Sequence, residues 1–437
     1  MPDPKTPSSW QWQAIKWGLT LLPINAILGV LPLVAVLFTT WWQRFPKLAR
    51  SPLSWGWGGL TLWFLLTTVF AAEKGEALLG LANFLPYFAL FLAMRCHVTT
   101  FQQLQQLAQQ LTLVAIILIV LGLGQVYDNW QSPAWLSNLG TDLVAGGRPE
   151  GRISSLLMYA NLFAAWLLLV FPLTVGLTLQ SWWDWRHSTD IRPPLYFWGL
   201  LIALGSEAIA LGLTNSRSAW GITLAIGIAY AVYVGWYWFV GGIAFIAATI
   251  LWAVYGPIGK DPLRQIVPRF LWARFSDELY PDRYYTALRS TQWKFSWNMF
   301  LERPLTGWGL RNFTPFYKDA MGVWIGHPHN LPLMLLAEVG LVGTLWLLGL
   351  VGWSLIRAVI ALKILWRFSQ SARRQQQGLL LFSYVVGFGA LCGYNLFDVA
   401  LFDLRNNIFA WGYLAAIAGV SDRLLAQLSR QQTMHSS

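Results

Sequence analysis

The sequence predicts an all-α protein, a polytopic bundle of roughly eleven or twelve membrane-spanning helices that makes residues 1–437 one integral membrane domain. Two observations carry this. Hydrophobic residues make up 56% of the chain and charged residues only 11%, whereas a soluble domain needs about 25% charged residues to face water all round. Apolar runs of about 17–25 residues, the length that crosses a bilayer, recur from Trp17 almost to the C-terminus. The mean hydropathy of +0.48 agrees.

The spans fall near residues 17–41, 55–72, 77–94, 108–126, 156–180, 195–213, 219–234, 235–255, 339–359, 379–397 and 408–421. The first is ambiguous, because Pro23 and Pro32 lie inside it and proline interrupts a helix ladder, so it reads as one broken helix or two short crossings. The start, MPDPKTPSSWQW, is polar and lacks a small-residue cleavage site, so no cleavable signal is expected. Cys96 and Cys392 stand apart, with no metal-binding or redox spacing. No metal and no cofactor is expected, and no nucleic-acid partner. The formal charge of +11 suits anionic lipid headgroups.

Basic residues orient the bundle. Arg44, Lys47, Arg50, Arg95, Arg186, Arg192, Lys363, Arg367, Arg373, Arg374, Arg423 and Arg430 fall on one side when crossings are counted, and the positive-inside rule makes that side cytoplasmic. The opposite side receives a short turn after Ala72, the stretch 127–155, the tight turn 214–218 and the long stretch 256–328. That last loop is rich in Gly and aromatic residues, and a loop of such length without low complexity is usually functional.

Four features fall on this outer side: Arg152 in GRPEGRISS, Arg217 in TNSRSAW, Arg289 before an aromatic run, and His327 and His329 in GHPHNLPLM. Arginines at a water–lipid boundary suit a phosphate-bearing substrate, since the guanidinium fork binds phosphate oxygens two at a time and stays charged. The plainer reading of each is snorkelling to lipid headgroups. His329 fits a general base, with Pro332 marking a helix that starts just after it. His327, two residues away, is expected to point to a different side. Glu338 follows His329 by nine positions, about 180° round an ideal helix, so capping a neighbouring helix or pairing with an arginine suits it better than holding the imidazole. Glu207 sits mid-span in LIALGSEAIALGL, where a carboxylate is costly and marks a functional candidate, here for transport. Asp398, Asp403 and Arg405 read as an ion pair closing the last outer turn.

Taken in order, these pieces resemble the O-antigen ligase and polymerase family of bacterial membrane proteins. The resemblance runs from Arg152 and Asn161 through Ser216-Arg217 and Arg289 to Pro304, Gly307, Gly309 and Phe313, then to His329-Asn330, Glu338, Gly340 and Gly343. The chain has Tyr159-Ala160-Asn161 where the family often has Asn-Pro-Asn. The HPHN form and the C-terminal DVALFDLRNN further resemble a cyanobacterial branch once proposed to act in inorganic-carbon (bicarbonate) accumulation.

The family resemblance implies a GT-C-like bundle and a metal-independent, inverting glycosyl transfer at the outer face of the bacterial inner membrane. The donor would be a glycan on undecaprenyl diphosphate, and the acceptor a hydroxyl of a lipid or glycan. His329 would take the acceptor proton, and Arg217 and Arg289, with Arg152, would hold the diphosphate. Asn330, Glu338 and His327 would support the site. The alternative is a transporter for bicarbonate or another small anion, working through Glu207. Transporters usually carry internal repeats and paired broken helices, and the sequence shows no repeat.

Overall fold

A computed structural model describes residues 10–190, 192–269, 272–273, 284–367 and 371–436, with side chains to Arg430. Residues 270–271 and 274–283 of the predicted outer loop therefore lie outside the described residues. The helices are α1 (Trp10–Leu21), α2 (Ala26–Ala49), α3 (Pro52–Val69), α4 (Lys74–Leu81), α5 (Leu85–Arg95), α6 (Phe101–Tyr127), α7 (Ala134–Asn138), α8 (Ala160–Arg186) and α9 (Leu195–Leu213). They continue with α10 (Arg217–Val234), α11 (Tyr237–Tyr255), α12 (Lys260–Ile266), α13 (Arg289–Glu302), α14 (Phe313–Met321), α15 (Leu331–Arg367), α16 (Ala372–Tyr394) and α17 (Leu404–Ser436). The fold is all-α, as predicted, with no named strand among the described residues.

Among the described residues, ten helical segments, counting α4 and α5 together, are long and apolar enough to cross a membrane. The expected eleven or twelve included two more. Helix α3 has 18 residues, and its Trp, Gly, Ser and Thr residues leave it outside those ten. The first predicted span does break at Pro23, while Pro32 is accommodated inside α2. The resulting α1 has 12 residues, about 18 Å at 1.5 Å per residue, short of a hydrocarbon core of about 30 Å.

Helix α8 lies at the centre. Its apolar window is 78% buried, and it packs against α6, α9, α10 and α16. Helices α9, α10 and α11 are progressively more peripheral, with 28%, 22% and 11% of their windows buried. The basic residues do gather at one end. Arg95 and Arg357 both pair with Asp422, Arg44 donates to the Cys96 carbonyl, and Arg423 donates to Thr99. Asp422 lies 422 − 404 = 18 residues into α17, about 27 Å from its start. The start of α17 is therefore at the opposite end of the bundle.

Helix α15 is broken at Gly340, whose φ of 71° and ψ of −179° lie outside the helical region. A break frees backbone groups that lipid cannot satisfy. Here the loop before α14 supplies the partners: the amides of Trp308 and Gly309 donate to the carbonyls of Ala337 and Glu338, and the amide of Leu341 donates to the Pro304 carbonyl. The indole of Trp63 donates to Val339. The approach is close enough to require glycine. A Cβ on Gly340 would lie 2.1 Å from the Leu305 carbonyl oxygen, and one on Gly307 would lie 2.4 Å from the Glu338 carbonyl carbon. The Pro-Leu-Thr-Gly-Trp-Gly segment is thus a backbone splint for the half-helix that follows His329.

Candidate active site

Several helix ends meet at the end remote from the basic cluster, among them the starts of α8, α10, α15 and α17 and the finishes of α9 and α16. His329 lies between α14 and α15 with φ +53°, in the left-handed region that non-glycine residues seldom adopt. Asn330 fixes this turn. Its Oδ1 accepts from the Leu333 amide as a helix cap, and its Nδ2 donates to the Leu396 carbonyl. The Leu331 amide donates to the Asn395 carbonyl. Helix α15 therefore begins just after His329, as Pro332 foretold, and is tied to the turn that carries Asp398.

Asp398 is 8% exposed. Its Oδ1 lies 3.0 Å from His329 Nδ1 and accepts from the Val399 amide at 2.9 Å, while its Oδ2 accepts from Asn161 Nδ2 at 2.8 Å. Burial pushes its carboxyl up, but the hydrogen bond from His329, the adjoining His327 ring and the Val399 amide outweigh burial and hold it below the usual carboxylate range. An ionised carboxylate can only accept, so the proton between the two sits on His329 Nδ1. Nε2 is left as the proton-accepting nitrogen. Among the described residues no direct ion pair closes this turn, although the charges of Asp403 and Arg405 still act on each other. Arg405 instead donates to the carbonyls of Leu156 and Gly140, and Asp403 caps α17 by accepting from the Asn406 amide. The physical reason is that α17 starts at Leu404, which leaves Asp398 outside the helix and turned toward α8 and α15.

Asn161 carries the chain of hydrogen bonds onward. Its Oδ1 accepts from an Arg152 terminal nitrogen at 2.6 Å, and Arg152 Nε donates to the Thr214 carbonyl at 2.7 Å. Arginine can only donate and the carboxylate only accept, so the Asn161 amide has one possible orientation. The result is a continuous path from the α9–α10 turn through Arg152, Asn161 and Asp398 to His329. Arg152 is held by a tight loop: a Cβ on Gly147 would lie 2.0 Å from the Arg152 carbonyl oxygen.

Arg217 is the first residue of α10, and the hydroxyl of its neighbour Ser216 lies 3.4 Å from Tyr394 Oη. Tyr394 also donates to the Asn161 carbonyl. Arg289 opens α13, and its charge acts on both His327 and Tyr394. The structure thus brings Arg152, Arg217, Arg289, His327, His329 and Asn330 to one end of the bundle.

His327 does not point away from His329. The two rings lie 4.5 Å apart at 77°, and His327 Nε2 lies 4.0 Å from Asp398 Oδ1. Pro328 and the left-handed turn at His329 fold the segment back, so the alternation of an extended strand does not apply. Burial, His329 and Arg289 push the His327 imidazole down to about 4, against the opposing pull of Asp398.

His327, His329 and Asp398 offer three metal-ligand atoms within 4.8 Å of one another. Both rings already make hydrogen bonds: His329 Nδ1 is on Asp398, and His327 Nδ1 accepts from the His329 amide at 3.2 Å, which puts the His327 ring proton on Nε2. A metal bound through these nitrogens would displace those bonds.

Two cavities adjoin this site. One of 570 Å³ is lined by His327, His329, Phe402, Gln292, Arg311 and Trp324, among others. The other, of 220 Å³, is an apolar groove that starts at Leu331, Asn395 and Leu396 and runs between α15, α16 and α17 to Val351 and Leu414.

Glu338 and Glu207 lie elsewhere. Glu338 accepts from the Phe313 amide at 3.3 Å, so it caps α14, one of the two roles that its spacing from His329 left open. Glu207 is fully buried among α6, α8 and α9, where its Oε1 accepts from Thr174, which in turn bonds Thr112. The sequence marks Asp398 only as part of a charged turn; its place beside His329 was missed, because no spacing links it to either histidine.

No curated protein matches the chain. The helices that carry Glu207, Arg217, Arg289, Glu338 and the histidine turn do have a counterpart: residues 198–348 match the O-antigen ligase family.

Proposed function

We propose that the protein is a glycosyltransferase of the O-antigen ligase or polymerase type, moving a glycan from an undecaprenyl diphosphate carrier to an acceptor hydroxyl. In this reading the acceptor O–H gives its proton to His329 Nε2 while its oxygen attacks the anomeric carbon from the face opposite the diphosphate. The carbon–oxygen bond to the diphosphate breaks, the configuration inverts, and the leaving oxygen keeps the electron pair. Asp398 stabilises the imidazolium that forms, and Arg152 and Asn161 hold Asp398 in place. Arg217 and Arg289 take the diphosphate charge, so the step needs no metal.

The observation that carries this reading is the 3.0 Å contact between His329 Nδ1 and Asp398, beside a cavity that His329 itself lines. General-base catalysis requires a positioned ring with one free nitrogen, and the hydrogen bond to a carboxylate provides both orientation and tautomer. The apolar groove beside Leu331 and Asn395 supports a lipid-linked donor, since a polyprenyl tail would lie there with its head at the histidine. The loop side is read as extracytoplasmic and the membrane as the bacterial inner membrane, with the basic end inside. A strain carrying His329→Ala tests the proposal. Loss of surface glycan with normal amounts of inserted protein is expected, and an unchanged glycan profile would sink it.

Glu207 keeps a second reading alive, because its buried Oε2 has no hydrogen-bond partner. An anion transporter using it would lose uptake in Glu207→Gln. Unchanged uptake in that variant removes the alternative.

A further inference from the structure

Helix α13 turns polar side chains inward and apolar ones outward. Its buried residues are Thr291, Gln292, Ser296 and Met299. Met299 packs with Phe313 and Tyr317 of α14 and Ala337 of α15. On the outer side Trp297 is 45% exposed and Leu301 58%, and Leu305, just past the helix, is 61% exposed. At about 100° per residue, Trp293, Phe300, Trp297 and Leu301 share one outward arc of about 100°, and Asn298 and Glu302 fall on the flank beside it. Asn298 and Glu302 are exposed as well, so the outer surface of α13 has an apolar strip and a polar flank. Water on every side would favour the reverse, with the tryptophan and leucines turned toward the core.

The strip continues onto a candidate membrane span. The Leu341 amide donates to the Pro304 carbonyl, and a Cβ on Gly340 would stand 2.1 Å from the Leu305 carbonyl oxygen. Leu305 therefore adjoins Leu341, and Leu341, Leu345 and Leu348 form an exposed apolar row down α15, whose length and composition suit a bilayer crossing. The same helix gives the depth. Arg357, which pairs with Asp422 at the basic end, is 357 − 341 = 16 residues from Leu341. That is about 24 Å at 1.5 Å per residue, within a hydrocarbon core of about 30 Å. Leu341 and Leu305 thus lie near the boundary of the core remote from the basic cluster. Leu301 and Trp297 follow one and two turns back along the chain, where headgroups meet acyl chains and tryptophan collects. We infer that α13 is an interfacial anchor, with Trp297, Leu301 and Leu305 seated in the leaflet remote from the basic cluster and Asn298 and Glu302 facing water. Its partner is the lipid surface. Arg289 opens this helix and Gln292 belongs to the wall of the cavity beside His329, so the seating holds that cavity at headgroup depth. The inference does not depend on which reaction His329 serves.

Spin labels test this on the full-length protein in nanodiscs of phosphatidylethanolamine and phosphatidylglycerol. In a background carrying Cys96→Ser and Cys392→Ser, the label is placed singly through Trp297→Cys, Leu301→Cys, Asn298→Cys, Glu302→Cys or Leu345→Cys. All five positions are exposed, so labelling empties no core. Power-saturation EPR then compares collisions with oxygen, which concentrates in lipid, and with a water-soluble nickel chelate. The oxygen-to-nickel ratio should be highest for Leu345→Cys, inside the span. It should be several-fold higher for Trp297→Cys and Leu301→Cys than for Asn298→Cys and Glu302→Cys. The anchor is refuted if Trp297→Cys and Leu301→Cys match the polar flank, which would stand the helix in water. It is equally refuted if the flank matches Leu345→Cys, which would sink the whole helix in lipid. Labels at Trp297→Cys and Leu301→Cys shielded from both reagents would show a protein partner on the strip and overturn the lipid assignment.

Discussion

Replacing Asp398 by Asn changes one oxygen to nitrogen in a pocket where every neighbour is accounted for. The carboxylate accepts from His329 Nδ1, Asn161 Nδ2 and the Val399 amide. An Asn side chain has one acceptor oxygen for these three donors, and its NH2 must face one of them. If the oxygen stays with Asn161, the NH2 faces His329 and favours the tautomer with the proton on Nε2, which cannot act as a base. The lost charge-assisted bond alone is worth about 1.5–3 kcal/mol, or roughly 10- to 150-fold in rate at 1.36 kcal/mol per decade. The wrong tautomer adds to this, and in a serine protease the corresponding change costs about 10⁴. A fall of about 10²–10⁴ in transfer is therefore expected, with donor binding little changed. The assay is single-turnover transfer from purified lipid-linked glycan by protein in nanodiscs. Transfer within a few-fold of wild type by Asp398→Asn would refute the dyad, because no other described carboxylate touches His329.

Acidity tests the same turn from another direction. His327 is pushed down to about 4 in the folded protein, against an ordinary value of about 6.5. Between those values the unfolded chain binds more protons, so stability should fall as pH drops through this window. Thermal melts across that range should show a flatter profile for His327→Gln than for wild type. Gly340→Ala places a methyl group 2.1 Å from the Leu305 carbonyl oxygen at a φ of 71°. It should destabilise the protein by about 2–4 kcal/mol, seen as lower yield of monodisperse protein in detergent, and a wild-type melting temperature would count against the splint. Arg217→Ala should weaken donor use with a rise in KM for the lipid-linked glycan, and Arg217→Lys should recover only part of it, since a lysine lacks the guanidinium fork. Equal KM values in all three proteins would remove Arg217 from the diphosphate site.

Much of this architecture was written in the chain as hydropathy. Lipid offers no hydrogen bonds, so long apolar runs have to be helices, and their number and order are close to a reading of composition along the sequence. Counting crossings then placed Arg152, Arg217, Arg289 and His329 at a common end, because each helix reverses the direction of the chain. Helical spacing also set Glu338 apart from the imidazole, and the structure decides between the two remaining roles by placing it on the Phe313 amide. What sequence spacing could not supply was the pairing of side chains from different helices. Asp398 is 69 residues from His329 and 237 from Asn161, and nothing local distinguishes it from Asp403, which caps a helix. The common direction of His327 and His329 likewise depends on a left-handed backbone at His329, imposed by Asn330 and the α16–α17 turn. The helices are determined by each segment's own solvation, and the chemistry of the site by contacts that exist only once those segments pack.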